Sequence, residues 1–427
     1  MHRRVVVTGL GVCAPNGVDL ETFAQSLKNG TSGIAFHQQL ADLNFSCQIA
    51  GKPPLEEAHI QRYFSPLQLK GLNSSGIIYG VIAGTDAWKD AGLSYAPAAT
   101  PDWDSGIIFG AGIFGVDKFK DSIYTVDSGN VRRLGSTAVV QVMASGVSVY
   151  LGSILGCGNQ VTTNSSACST GTEGILLAYD RIRSGKATRM LTGSTSDHGP
   201  YVWGGFDSMR ILPTRYNTNP TAASRPMSAT ASGFVPGSGA GAMVLESLDS
   251  ALERGARIYA EVLGGAVNNG GQRGGGTMTA PNSEAVQRCI VHALKNAGVE
   301  NSDIDTINGH LTATSKDSEE ISNWAVALDR SRKDFPYINS FKGVLGHCLA
   351  AAGSIEGVGA ILQFREGQVF GNVNCNDLDP RITSIVDPSK IPQKTIAHSP
   401  EVLAKASFGF GDVNACVIFG AYNNEID

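Results

Sequence analysis

The sequence predicts an α/β protein whose two halves share one core. Short β-branched runs alternate with amphipathic helical stretches, the pattern left by parallel strands joined through helical crossovers. The alternation runs through twice, in roughly equal parts that meet near residue 250, giving halves of 1–255 and 256–427. No Pro/Ser-rich linker separates them, so they read as packed together rather than tethered. Composition agrees: 42% of the 427 residues are hydrophobic and 17% charged, and the 52 glycines are scattered among apolar segments.

In the first half, Val5–Val7 reads as a strand ending in a glycine turn. Asp19 is placed to cap a helix with Leu20, Phe23 and Leu27 inward and Gly30 closing it. Ile77–Trp88 reads as a helix ending near Gly92. Gly106–Phe109 and Gln160–Thr163 read as strands. Thr170–Arg183 is helical, with Ile175, Tyr179 and Ile182 on one stripe, and stops at Ser184-Gly185.

In the second half, Leu248–Arg254 reads as a helix closed by Gly255, and Ile258–Leu263 as a strand. Glu284–Asn296 and Glu319–Leu328 are helices, Asp305–Asn308 and Tyr337–Ser340 strands, Leu349–Phe364 a long small-residue helix, and Ala415–Phe419 the final strand. Gly264–Pro281 is the one long irregular stretch. It lacks the Lys-Ser/Thr of a phosphate-binding loop and is expected to be a mobile loop over a cleft.

The bulk properties narrow the function. A formal net charge of -5 with no long basic run speaks against nucleic-acid binding. No apolar stretch approaches the ~20 residues needed to span a bilayer. The N-terminal apolar run is broken by Thr8, Gly9 and Gly11 and followed by Asp19 and Glu21. It reads as a strand rather than a signal peptide, and a cytoplasmic location is expected. The eight cysteines form no C-x-x-C pair, so neither a zinc site nor a disulfide framework is indicated, and no metal is expected.

Cys168 stands out among them. It lies between a strand ending in small polar residues and the start of a helix, where the helix dipole favours thiolate. Such a residue is either a buried structural thiol or a nucleophile, and the small neighbours Ser165, Ser166, Ala167, Ser169 and Gly171 leave room for a substrate. His310 follows one strand, and His347 sits between a strand end and a helix start. Both are placed at the mouth of a sheet, where sites in such folds are built. Lys342 and Glu356 flank His347; they read as a pair that sets its protonation or as a solvated surface pair. Phe408-Gly409-Phe410-Gly411 is a sharp turn able to present backbone N–H groups to an oxyanion. One cysteine with two histidines exceeds what a simple hydrolase needs. The set suits loss of a carboxylate with stabilisation of the resulting enolate.

In chain order, RRVVVTGLGVCAPNG, SSACSTG, ASRP, GFVPGSGAG, NGHLTAT, NSFKGVLGHCLAAAGSIEG and FGFG together give a specific signature. Over essentially its whole length the chain resembles the elongating β-ketoacyl-[acyl-carrier-protein] synthases of the thiolase superfamily. The resemblance implies a thiolase-like fold, two pseudo-repeated α/β halves packed as a layered α/β/α/β/α core. It implies Cys168 as the acylated nucleophile, and His310 and His347 as neutral donors assisting malonyl decarboxylation. Lys342 would organise His347, with Glu356 as structural support. Backbone N–H groups of Cys168 and Phe410 would form the oxyanion hole. Phe410, beside Gly409, would gate an acyl pocket with Phe206 nearby and Ile113 lining it. Thr312, Thr314 and Thr279 would contact the phosphopantetheine arm, and Arg132, Arg133 and Arg210 would receive the acidic acyl carrier protein. No cofactor is implied beyond that carried arm. The family's homodimer forms through the nucleophile half, and a heterodimer with a related subunit is also compatible.

The chain departs from the family pattern at several places. Leu311 replaces a glycine, Asp412 and Val413 stand in the closing GFGDVN, Phe114 replaces a glycine beside the acyl pocket, and Ser228, Ala231 and Ser238 stand where an acid and a base are usual. The segment between Thr314 and Asp317 is one residue short, and Lys70 alone marks the usual basic cluster. None removes a catalytic group, and together they point to a specialised lipid or polyketide synthase. A thiolase would need a second catalytic cysteine near the closing loop, but Cys416 lies beyond it among apolar neighbours. A silent chain-length partner would lose Cys168, and a hydrolase or simple acyltransferase would not need both histidines.

Overall fold

The computed structural model describes residues 2–94 and 100–422. Ten strands form one mixed sheet: β1 Val5–Cys13, β2 Ser105–Ala111, β3 Val161–Thr162, β4 Arg189–Ser196, β5 Gly239–Ser247, β6 Ala260–Asn269, β7 Thr306–Asn308, β8 Tyr337–Asn339, β9 Val402–Gly409 and β10 Val413–Gly420. Their spatial order is β8-β7-β9-β10-β6-β1-β5-β4-β2-β3. Outward from the centre, one half runs β1-β5-β4-β2-β3 and the other β6-β10-β9-β7-β8, the same order repeated. Strand directions repeat as well. β2 is parallel to β3 and β4, while β5 is antiparallel to β4 and β1. β7 is parallel to β8 and β9, while β10 is antiparallel to β9 and β6. The halves join where Val6 and Val7 face Glu261 and Ala260.

The all-parallel sheets expected from the alternation are therefore corrected to a mixed one. Helical crossovers link the four co-directional strands of each half, and the fifth strand returns antiparallel between two of them. Helices complete five layers. α1 Leu20–Asn29 is capped as expected, by the Asp19 side chain and by Gly30 in the left-handed region. α2 Ser75–Asp90 and α3 Gly146–Leu155 cover the outside of the first half. α4 Thr170–Arg183 and α7 Ala352–Glu366 pack on each other between the halves, and α5 Ser283–Ala297 with α6 Asp317–Leu328 covers the outside of the second. No helix among the described residues is long and apolar enough to cross a membrane.

Several element boundaries move for stated reasons. β1 runs through the glycines read as a turn. A Cβ on Gly11 would stand 2.0 Å from the Ala83 carbonyl, so the glycine lets α2 lie directly on the strand. The first part of the Gly264–Pro281 stretch belongs to β6, where Ala266 and Val267 face Cys416 and Ala415 of β10. Leu349–Ala351 forms a separate 3₁₀ turn before α7. Strands β4, β5 and β9 escape the sequence pattern because helices cover both faces of the sheet. Their residues (RMLTGSTS, GAGAMVLES, VLAKASFG) are small and do not alternate.

The two central helices touch at their first turns through glycine. A Cβ on Gly353 would stand 2.5 Å from Thr172 N, and one on Gly171 would stand 2.3 Å from Ser354 N. Gly353→Ala is therefore expected to destabilise the protein by about 1–3 kcal/mol through overpacking. This would lower the urea midpoint, whereas Gly205→Ala, whose Cβ meets nothing within 4 Å, leaves that midpoint unchanged or higher.

Candidate active site

Cys168 occupies the 3₁₀ turn Ala167–Ser169 that leads into α4. Ala167 is left-handed, with φ 50°, a conformation an alanine adopts only when its surroundings fix it. Thr170 fixes it: its hydroxyl donates to Ala167 O at 2.7 Å and accepts the Ser166 N–H at 2.9 Å. Ser169 ties the elbow to the β9–β10 hairpin, its hydroxyl reaching Ser407 O and Val413 O at 3.1 and 2.9 Å. Gly409 passes so close that a Cβ there would stand 3.1 Å from Cys168 N and 3.3 Å from Cys168 Cβ. That approach brings the Phe410 N–H onto the thiol.

His347 precedes the 3₁₀ turn of α7, whose first residue, Leu349, is also left-handed at φ 52°. The Cys168 Sγ and one ring nitrogen each from His310 and His347 lie within 4.8 Å of one another. The imidazole planes stand at 84° with centroids 5.3 Å apart. His347 Nδ1 accepts the Leu349 N–H at 3.1 Å, so the proton of the neutral ring sits on Nε2, which is a donor. Burial first, then the charges of Lys342 and Lys405, hold both histidines well below their ordinary pKa. Both are therefore neutral at physiological pH.

Lys342 and Glu356 are not a solvated pair. The Lys342 ammonium meets Glu356 Oε1 at 2.5 Å, with both side chains buried. A third charge, which the sequence reading missed, completes the group. Lys405 on β9 is fully buried with its ammonium 2.9 Å from Glu356 Oε2, a charge contact out of line for a hydrogen bond. A lysine inside the apolar run VLAKASFG was the available signal. Two ammoniums thus flank one carboxylate behind the trio.

The expected thiolate is corrected. Burial raises the Cys168 pKa above its ordinary value and outweighs the opposing pull of the Phe410 N–H, Lys342 and its own N–H. The resting form is the thiol.

A cavity of about 280 Å³ reaches this trio, lined also by Thr279, Thr312, Thr314, Phe234, Gly409 and Phe410. Phe206 does not line it but packs on Phe234 and Phe410, with ring centroids 5.5 and 6.1 Å apart. Ile113 is 49% exposed in the single chain and does not line this cavity. Arg132 and Arg133 are exposed on a 3₁₀ turn and line no part of the cavity. Arg210 lines a neighbouring surface depression with Arg215, one residue from Ile211 in the cavity wall.

Two further buried carboxylates shape the His310 loop. Glu320 accepts the N–H groups of His310 and Leu311, each at 2.7 Å. Asp317 accepts those of Met227 at 2.8 Å, Thr312 at 2.9 Å and Ala313 at 3.2 Å. Burial pushes Glu320 up to about 7 and Asp317 up to about 6, against the pull of those amides. Folding thus opposes Glu320 ionisation, so this group removes stability as pH rises from the ordinary carboxyl range through about 7. Glu320→Gln is expected to flatten part of that decline in denaturant midpoints measured from about pH 5 to about pH 8; an unchanged slope would refute the assignment.

The family described as Beta-ketoacyl synthase, N-terminal domain, matches residues 2–251, and Beta-ketoacyl synthase, C-terminal domain, matches residues 259–376. The chain is 31% identical over 438 residues to the chloroplastic 3-oxoacyl-[acyl-carrier-protein] synthase I of Arabidopsis thaliana, covering 98% of this chain and 87% of that one. It is 30% identical over 424 residues to 3-oxoacyl-[acyl-carrier-protein] synthase 1 of Escherichia coli, covering 97% and 98%. A solved ketosynthase, bound to a hexaketide and in complex with its type II polyketide acyl-carrier protein, superimposes with a TM-score of 0.86 at 27% identity over 99% of this chain and 100% of that one. With both family domains matched in order across a sheet that repeats its own topology, the chain belongs to the β-ketoacyl synthase family.

Proposed function

We propose that this chain catalyses decarboxylative Claisen condensation of an acyl group held on Cys168 with malonyl-acyl carrier protein, releasing 3-oxoacyl-acyl carrier protein. The observation that carries this reading is the pair of neutral, buried histidines beside the Cys168 thiol, with Lys342 and Lys405 behind them. A hydrolase needs a basic nitrogen to activate water. Here the His347 Nε2 is a proton donor, suited to holding an oxygen that becomes negative.

The first half-reaction is thioester exchange. Cys168 sulfur attacks the acyl carbonyl, the oxyanion lies between the N–H groups of Cys168 and Phe410, and the carrier thiol departs with the proton lost by Cys168. Malonyl-carrier protein then enters. Its carboxylate bond breaks, carbon dioxide leaves, and the electron pair becomes an enolate whose oxygen accepts hydrogen bonds from the two imidazoles. The enolate carbon attacks the acyl carbonyl, and collapse expels the Cys168 sulfur, which takes up a proton from solvent. The chain grows by two carbons.

Thr279, Thr312 and Thr314 are the polar wall positions for the phosphopantetheine arm, and Arg210, with Arg132 and Arg133, provides positive charge for an acidic carrier. A second copy of this chain is the proposed partner, seated on an exposed apolar helix of the nucleophile half. The helix Val116–Asp127 buries none of its residues in the single chain, and Phe119, Ile123 and Tyr124 are 55%, 45% and 65% exposed. A specialised acyl substrate fits Phe114, whose ring lies where a Cβ on Gly76 would meet it at 2.9 Å.

Intact-protein mass is expected to show an acyl adduct on wild type and none on Cys168→Ala, with malonyl-carrier protein chasing the adduct into 3-oxoacyl product. His347→Ala should still acylate but lose decarboxylation on the order of 10²–10³-fold. An adduct that only hydrolyses would overturn the condensation reading. Light scattering is expected to give a dimer for the purified chain, and a monomer for the Ile123→Asp, Tyr124→Asp variant.

A further inference from the structure

We propose that Asp412 is a positioning residue whose buried carboxylate fastens the glycine-rich loop 270–282 to the turn carrying the Phe410 amide, so that the cavity mouth and the oxyanion donor move as one piece. The functional side rests on the condensation reading; the mechanical side does not.

The turn between β9 and β10 consists of Phe410, Gly411 and Asp412. Asp412 is left-handed at φ 63° and fully buried. Its Oδ1 accepts the Asn282 N–H at 2.8 Å and its Oδ2 accepts the Gln272 N–H at 3.1 Å. Its carbonyl accepts the Gly270 N–H at 3.1 Å. The neighbouring Gly411 donates to Met278 O at 2.8 Å and accepts from the Asn269 amide at 2.9 Å. The loop closes round the carboxylate: a Cβ on Gly270 would stand 2.1 Å from Oδ2, and one on Gly276 2.5 Å from it. The glycines at 270 and 276 are thus matched to an aspartate at 412. A short polar side chain is among the few that tolerate this backbone, and here the carboxylate offsets the strain by taking two amides from the far side of the loop.

The two fastened segments form facing parts of one cavity. Thr279, Ala280 and Pro281 come from the loop, Gly409 from the end of β9 and Phe410 from the turn. Phe410 also directs its N–H at the Cys168 thiol and its ring at Phe206. Displacing the Phe410 ring to admit a longer acyl chain would strain the bonds to Gln272 and Asn282, and hence the wall that Thr279 presents to an incoming arm. Entry at the mouth and opening at the thiol are coupled through one carboxylate.

Hydrogen exchange on free protein tests the coupling without substrate. In Asp412→Gly, peptides covering 270–282 and 408–412 are both expected to exchange at least about tenfold faster, while the β1 and β5 peptides and the urea midpoint stay as in wild type. Asp412→Asn, which keeps one acceptor, should fall between. In the acylation assay, Asp412→Gly should raise KM for carrier-bound acyl donor more than it lowers kcat. Acceleration of only one of the two segments would overturn the proposal, as would acceleration across the whole second half with a lowered midpoint, which is what a merely structural aspartate would give. If Cys168 never acylates, the condensation reading fails while the exchange result still decides the coupling.

Discussion

Three charges buried in the core, Lys342, Glu356 and Lys405, constrain the rest of this structure. Removing ions from water costs several kcal/mol each, so the group persists only if each charge is held against another. The three come from separate places: Lys342 follows β8, Glu356 lies one turn into α7, and Lys405 sits on β9. Satisfying Glu356 therefore fixes the central helix against the sheet of the second half. The two ammoniums add to burial in depressing both imidazoles, and Lys342 partly offsets the desolvation of Cys168. Scaffold and electrostatics are the same contact seen from two sides.

That charge group acts on the thiol only because two helices approach almost to backbone contact. Gly171 and Gly353 remove the side chains that would separate α4 from α7, and each helix begins with a 3₁₀ turn opened by a left-handed residue. Cys168 lies in one turn, and His347 lies just before the other. The close approach lets a residue from the first half and one from the second stand within a few ångströms, although they are far apart in sequence.

Parts of this were legible in the sequence. The helix over Thr170–Arg183 was, because Ile175, Tyr179 and Ile182 repeat at helical spacing and Ser184-Gly185 stops it; the structure gives the same limits. β1 was cut short at its glycines because the helix that demands them packs from a distance that local pattern does not encode. The strands of small residues were missed for a related reason, since burial on both faces erases alternation. Cys168, His310 and His347 were legible as candidates from strand–helix punctuation and motif order. Their convergence was not, because it depends on long-range packing. Lys405 went unread, and the protonation of Cys168 was read with the wrong sign. In both cases burial decided the outcome, and a sequence window does not report burial.

The repeated topology also explains how the work is divided between the halves. The loop after β7 carries His310, and the loop at the same place in the first half, after β2, carries Ile113. In the second half that loop turns inward, because Glu320 and Asp317 on the following helix gather its amides and aim it at the thiol. In the first half the corresponding loop is caught differently. Asp197 accepts the Gly115 N–H just beyond it, the Phe114 ring packs against Gly76, and Ile113 is left facing outward. Buried carboxylates thus set the direction of both loops, and their placement makes a duplicated scaffold chemically one-sided. One half presents the nucleophile and an apolar surface, and the other supplies the donors and the charge.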